Sequence, residues 1–364
     1  MLTIELFPAK FGDAILLTYG PPGKESHVLV DAGLKGVGKT VAKRLAQRGV
    51  FIDLFVVTHV DIDHIGGAVS LLNTPSFTDR LGAVWFNGFK HLDQFSDLLG
   101  PIDGERLTSR LVELDVPWNV GWPWNDGSAA DHVGGPVVAR TKPVKMPLPG
   151  TASALLLSPT PQKLANLLPE WEKVVKAAGL ELGVTGRHEP KPAPEPGNDM
   201  LGGPTLKELA AADTDDDTAP ANGSSIAFVF EVKDGGRRKR VLLGGDAHPQ
   251  VLVDGLRQVA KNGAKYAVDA CKLPHHGSRA NVTTALVQLL DCPQWLVSTN
   301  GSQFSHPNAE ALARCVVHGS PGATLVFNYE STIVQQFLAD HPPHASGYTA
   351  VLPAAGEEGI VVTL

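Results

Sequence analysis

The stretch VVTHVDIDHIGG, residues 56–67, ends an apolar run with His59, Asp61, Asp63 and His64 and then two glycines. Imidazole and carboxylate bind divalent cations, and alternation along an extended segment puts His59 and Asp61 on one side of the chain. A reversal after them re-aims Asp63 and His64 at a second cation, so the four residues make half of a two-metal site. Two such ions lower the pKa of water and stabilise the oxyanion that forms when it attacks an ester-like centre. The plainer account is a strand-to-helix turn with an aspartate cap. It uses one carboxylate and leaves the second acid and both histidines without a task. Gly66 and Gly67 remove Cβ atoms where the next helix lies close to the loop.

The cluster needs rigid elements to hold it. FIDLFVVT reads as a buried strand, preceded by the helical pattern GKTVAKRLAQRG and followed by helical spacing over 66–73. The cluster is thus expected in a loop beyond a strand's carboxyl end, where open α/β sheets hold their sites. Upstream, LTIELF, DAILLTYG and HVLVDAG read as strands around the loop PAKFG. Downstream, SSIAFVFEV and RKRVLLGGDAH pair as a hairpin across KDGGR. ALLLSPTPQKL reads as a strand and helix start. YAVDACKLP, WLVST, TLVFNY and GIVVTL are further strands, with the helix AEALARCVV after WLVST. This is β-rich α/β organisation in a single domain, residues 1–364, with insertions at about 90–150 and 165–220. The first contains VPWNVGWPWNDG and reads as long loops beside the site. The second runs from the amphipathic ANLLPEWEKVVKAAG into RHEPKPAPEPGNDM and AADTDDDTAPANG, whose proline and acid content predicts a mobile surface segment.

Later stretches add candidates. Asp246 follows the strand VLLGG, so its carboxylate emerges at the same sheet edge as the cluster, although Gly-Asp is also ordinary turn chemistry. In LPHHGS, His275 and His276 stand at another strand end and Gly277 permits a sharp turn. Ser278 and Arg279 offer contacts to a substrate anion, or are simply surface. His306 in SHPN either reaches the metals, donates a proton to a leaving group, or caps its loop. The basic turn GGRRKR reads better as a solvated hairpin tip than as a phosphate patch. The tryptophan-rich loops either stack bases or pack against their own segment.

These motifs resemble the metallo-β-lactamase fold. His59, Asp61, Asp63, His64 and Gly67 match its H-x-H-x-D-H-x-G signature, with Asp61 in place of the second histidine. The order GDAILLTYG, LVDAG, HVDIDHIGG, LLLSPTP, NGSSIAF, LLGGDA, LPHHGS and NGSQFSHPNAEAL is similar to the hydrolase domain of ComEC-type competence proteins. The resemblance implies a four-layer αββα sandwich and a metal-dependent hydrolase holding two divalent ions, zinc or manganese. It makes His59, Asp61, Asp63, His64, Asp246 and His276 metal ligands, with Asp246 bridging, and it assigns the catalytic step to Asp63, His275 and His306. His276 is favoured as ligand over His275, which becomes a proton donor or supporting group. Asp13 and Asp31 match the GDA and D-x-G loops, Asp31 orienting a ligand. The histidine expected before SIAFVF is missing. Asn222, Ser224 or Ser225 would complete the shell or contact substrate, Ser278 and Arg279 would contact substrate, and His132, His188 and His248 are alternative ligands. The resulting oxygen-rich shell suits manganese better than a three-histidine shell would.

The substrate implied is a phosphodiester of DNA, RNA or a nucleotide, with lactones, thioesters and other small esters as alternatives. A diiron oxidoreductase and a catalytically silent binding module are the readings from other classes. The first is opposed by the lack of a flavodoxin-like domain, the second by the retained ligands. ComEC's channel-forming segments have no counterpart here, so the resemblance implies a stand-alone soluble relative. The 364 residues contain 43% hydrophobic positions, enough for a large core. No run reaches the ~18 apolar residues of a membrane span and the first residues lack a secretory pattern, so a cytoplasmic location is expected. The net charge of -7 gives no general attraction for polyanions, leaving nucleic acid as a partner only through bound cations or a local patch. Three cysteines without paired spacing predict buried thiols.

Overall fold

Hydrophobic alternation along the strands separates into two parities, and that division builds the molecule. The structure is a computed structural model and describes residues 1–92, 102–120, 133–177, 203–260 and 263–364. One sheet has six strands in the order Ile360–Thr363, Leu2–Leu6, Ile15–Tyr19, Ser26–Val30, Ile52–Val56, Leu81–Trp85. The other has eight, Thr349–Val351, Thr324–Phe327, Gln294–Val297, Ala270–Lys272, Arg237–Leu243, Ala227–Asp234, Ala152–Ser158, Lys145–Pro147. Leu2, Ile4, Leu17, Val28 and Val56 from the first sheet meet Leu156, Phe228, Phe230, Val241 and Leu296 from the second in one core. The opposite parity faces outward. Leu29 and Phe55 pack with the helices Lys35–Gln47 and Ile62–Leu72, while Val229, Leu242 and Trp295 pack with Pro249–Val259 and Ala309–His318. Three stacked cores separate four layers, so the αββα sandwich is present. Each interface between layers removes a continuous apolar surface from water, the dominant favourable contribution to folding.

Parallel neighbours direct several strand ends to one edge. Ser26–Val30, Ile52–Val56 and Leu81–Trp85 run parallel, as do Arg237–Leu243, Ala270–Lys272, Gln294–Val297 and Thr324–Phe327. The loops after Val30, Val56, Leu243, Lys272 and Val297 carry most of the candidate residues. The hairpin forms as expected, with Gly235 and Gly236 in left-handed conformations at its tip. YAVDACKLP divides into Tyr266–Ala267, which pairs with Leu290–Asp291, and Ala270–Lys272.

The described parts of both insertions contain more order than composition suggests, while RHEPKPAPEPGNDM, Trp122 and Trp124 lie outside the described residues. The helix Ile102–Leu114 contributes Leu107 and Leu111 to the outer core. Trp118 is fully buried and donates from Nε1 to the Phe86 carbonyl at 2.7 Å, so it packs its own segment and is unavailable for stacking bases. Leu206–Ala211 is a helix capped reciprocally by Thr205 and Glu208. The acidic run after it is tied down by Arg314, which donates to the Ala212 carbonyl at 2.8 Å and to Thr214 Oγ1 at 2.9 Å. That run is therefore a packed segment, contrary to the expectation of mobility. Cys271, Cys292 and Cys315 are buried free thiols. No helix among the described residues is long and apolar enough to cross a membrane.

Candidate metal centre

The helix after the opening motif starts at Ile62, four residues earlier than its spacing indicates, so Asp63 and His64 lie in its first turn. Asp61 occupies the cap position and its carbonyl accepts from the His64 and Ile65 amides at 2.9 Å, but its side chain makes no capping bond. The carboxylate is left free for other work, at the cost of a cap worth about 1 kcal/mol. Gly67 allows the helix to sit close to the loop below it, since a Cβ there would lie 2.0 Å from the Ala32 carbonyl oxygen.

Four imidazoles converge on Asp246, and each has its Nδ1 engaged elsewhere. His59 Nδ1 donates to Thr58 Oγ1 at 3.0 Å, His64 Nδ1 to Asp31 Oδ2 at 2.8 Å, His276 Nδ1 to the Ser298 carbonyl at 2.9 Å, and His275 Nδ1 to Asn281 Oδ1 at 3.1 Å. Asp31 also accepts from the Thr58 amide and hydroxyl, both at 2.8 Å, which places it where an orienting residue was expected. This hydrogen-bond network engages all four Nδ1 atoms and turns the four Nε2 atoms toward the centre. His275 and His276 have φ of 46° and 53°, and their rings stand 76° apart. Left-handed backbone of this kind costs on the order of 1–3 kcal/mol per residue and persists where the surroundings over-determine it.

Around Asp246 the ligand-type atoms form two groups. His59 Nε2 is 3.6 Å from Asp61 Oδ2 and 3.8 Å from Asp246 Oδ2, while His275 Nε2 is 3.6 Å from the same Asp246 oxygen. On the other side His64 Nε2 is 3.4 Å from Asp246 Oδ1, and His276 Nε2 is 3.3 Å from Asp63 Oδ2 and 3.1 Å from His64 Nε2. Ligands at the usual ~2.0–2.2 Å from a tetrahedral ion stand about 3.3–3.6 Å apart, so the spacing fits. His59 Nε2 and Asp246 Oδ1 are buried with no hydrogen-bond partner, which divalent ions would satisfy. Asp13 also lies within 4.8 Å of His64, Asp246 and His276. It approaches His276 from the Nδ1 side, at 3.5 Å, and its Oδ2 receives Lys272 Nζ at 2.6 Å, so it supports the ring from behind.

The charges are strongly interdependent. Burial raises the Asp246 pKa, yet His64, His275 and His276 outweigh it and hold the carboxyl well below its usual range. Burial likewise opposes charge on His276, but Asp13 and Asp246 push it up to about 9, and His64 and His275 are raised in the same way by the acids around them. Without cations the raised values favour protonation of these rings, so an ion must compete with protons for them. His306 moves the other way, lowered to about 3 by burial and by His275 and His276. The shift favours the uncharged ring in the ion-free chain.

A cavity of about 640 Å³ opens over the centre, lined by Asp61, Asp63, Asn222, Asp246, His275 and His306 together with Phe11, Ile62 and Phe304. Ser278 and Arg279 are not in its wall. Ser278 Oγ accepts from the Ala280 amide at 3.2 Å, and exposed Arg279 pairs with Glu310 at 2.9 Å. Ser225 Oγ accepts from the Asp246 amide at 3.2 Å and positions that residue instead of lining the cavity. His248 Nε2 is bonded to the Ala219 carbonyl at 2.8 Å and does not join the centre; His132 and His188 lie outside the described residues. Sequence reasoning missed Asp217. Its Oδ2 accepts from Asn222 Nδ2 at 2.7 Å and Asn281 Nδ2 at 2.9 Å and stands 3.4 Å from His275 Nδ1. It sits in the run DTDDDT, where acids crowd together and no spacing singles one out.

The family model of the metallo-beta-lactamase superfamily matches residues 8–301. No curated protein matches the chain. Among solved structures, the chain is similar to the metallo-beta-lactamase fold protein YhfI from Bacillus subtilis, with 9% identity, coverage of 99% of this chain and 98% of that one, and a TM-score of 0.37. The metallo-beta-lactamase SMB-1 bound to 2-mercaptoethanesulfonate matches at 12% identity, covering 87% and 92%, with a TM-score of 0.31. MEM-A1, a subclass B3 metallo-beta-lactamase from a soil metagenome library, matches at 12% identity, 86% and 91% coverage and a TM-score of 0.31.

Proposed function

Because the chain belongs to the metallo-beta-lactamase superfamily, we propose that it is a hydrolase of phosphodiesters whose residues around Asp246 would hold two divalent ions, zinc or manganese. The observation that carries this reading is the convergence of four Nε2 atoms on one buried carboxylate, each ring anchored through Nδ1. His59, Asp61 and His275 would hold one ion, Asp63, His64 and His276 the other, with Asp246 shared. His275 then supplies the imidazole missing before SIAFVF, and both histidines of LPHHGS become ligands. Bound divalent ions supply a lowered water pKa and a positive field for the developing oxyanion.

The chain's own residues fix the geometry. Thr58, Asp31, Ser298 and Asn281 hold the rings, and Lys272 with Asp13 keeps His276 in place. Asp217 fixes Asn222 so that its Oδ1, buried and without a partner, remains available as an acceptor in the cavity wall. His306, neutral and with an unpartnered Nδ1, offers the substrate a hydrogen bond without adding charge. The likeness to ComEC-type hydrolase domains supports a phosphodiester over a lactone or thioester.

The test is metal analysis of purified protein, then turnover on an activated phosphodiester, a lactone and a thioester by the stripped and reloaded enzyme. Metal-dependent turnover confined to the phosphodiester is expected. Turnover confined to the lactone or thioester would overturn the substrate class, and a chain that takes up no metal would overturn the whole reading.

A further inference from the structure

The mouth of the cavity is built from apolar side chains that folding does not require to be there. Phe304 is 52% exposed and Ile62 is 47% exposed, yet both line the opening with Phe11. Phe304 meets Phe11 edge to face with ring centroids 6.3 Å apart, and it lies nearly parallel to His306, 29° between planes and 6.2 Å between centroids. Its backbone and that of Ser305 are left-handed, φ 63° and 53°. Two successive strained residues that deliver a half-exposed aromatic ring to a cavity mouth indicate a ligand-facing surface, since the ring adds little to the core.

Charge narrows the ligand. Among the described residues lining the cavity, none is lysine or arginine, and three are aspartates. A phosphodiester carries one negative charge at neutral pH, and with no cationic side chain in the described wall, bound ions would be what meets that charge. A polynucleotide presents further phosphates on either side and is usually met by a basic groove. Here the basic residues flanking the LPHHGS loop are both paired, Lys272 with Asp13 and Arg279 with Glu310, and neither lines the cavity.

Resting on the hydrolase reading, we infer that the substrate is a small, singly charged phosphodiester carrying a flat aromatic group, which packs on the exposed Phe304 ring beside Phe11 at the mouth while Asn222 Oδ1 accepts from a donor nearer the ions. Phe304 is thus a specificity-determining residue, and extended nucleic acid is not the preferred substrate.

The test compares bis(p-nitrophenyl) phosphate with methyl p-nitrophenyl phosphate, which share a charge and a leaving group and differ in the second substituent. The metal-loaded wild type should favour the diaryl ester by about tenfold in kcat/KM, mostly through KM, as one stacked ring predicts. Phe304→Ala should remove most of that preference, and Phe304→Trp should keep it. Calorimetric binding of diphenyl phosphate and dimethyl phosphate gives a readout apart from turnover, with the diphenyl ester bound more tightly only when residue 304 is aromatic. Metal content and thermal melting show that each variant is folded and loaded. Equal use of both esters, or a short single-stranded oligonucleotide cleaved far faster than either, would overturn the aromatic subsite while leaving the hydrolase reading intact. Ring-dependent binding of diphenyl phosphate without hydrolysis of any diester would do the reverse.

Discussion

At the level of single residues, the behaviour of the centre follows from charges that burial disfavours and neighbours make tolerable. Asp246→Asn keeps shape and volume but removes the shared carboxylate. Turnover should fall by at least about 10²-fold with the melting temperature of the metal-free protein little changed, since losing even supporting groups costs ~10–100-fold. Unchanged turnover would take Asp246 out of the centre. Lys272→Met strands the buried Asp13 carboxylate and should destabilise the fold by roughly 3–5 kcal/mol in denaturant melts, with Asp13→Asn added to it restoring part of the loss. Burial raises the Asp13 pKa, but Lys272 and His276 override it and hold the carboxyl below its usual range in the folded chain. The stabilisation is therefore present above the ordinary carboxylate range and is lost as the pH falls through the lower folded value. Metal binding has its own pH dependence. The His276 pKa is raised to about 9 in the ion-free chain, so at neutral pH the ring is protonated and loading must expel that proton. Calorimetry in buffers of different ionisation enthalpy should show net proton release, with apparent affinity weakening as the pH falls. Loading with no proton release would contradict the charge state assigned to the centre.

At the level of elements, the helix Ile62–Leu72 shows function and stability in competition. Its cap residue leaves the first amides without a side-chain acceptor so that the Asp61 carboxylate can face His59. Asp61→Ser should stabilise the metal-free chain by up to about 1 kcal/mol while lowering its metal content. A variant that binds metal as the wild type does would remove Asp61 from the ligand set. Gly67→Ala should destabilise by at least about 1–3 kcal/mol in thermal melts, because the added Cβ meets backbone and no rotamer change relieves it. The helix, its glycines and the four-residue cluster were legible because they rest on local spacing. The same holds for the strands, where Val28, Leu29 and Val30 or Phe228, Val229 and Phe230 alternate between cores. Asp217 was not legible, because an acidic run looks solvated until a partner such as Arg314 is known to hold it. Nor were the left-handed conformations that aim His275 and His276, since positive φ is uncommon even for histidine, where it is enriched.

At the level of the molecule, two sheets with parallel strands bring five loop ends to one edge of the sandwich, and only there do residues far apart in sequence meet. Asp246, His275 and His276 lie beside the opening motif, and the ligand role for His275 is our proposal beside the supporting role that the resemblance implies. Ser278 and Arg279 do not line the cavity at which the resemblance places them. The arrangement makes a symmetric demand, two imidazoles and one private carboxylate on each side of Asp246. Metal stoichiometry by elemental analysis of the wild type, His275→Ala and His276→Ala at saturating zinc or manganese tests that demand most directly. Two equivalents in the wild type and one in each variant are the result predicted. A wild type that saturates at one equivalent, or a His275→Ala variant that still holds two, would contradict a two-ion centre completed by His275.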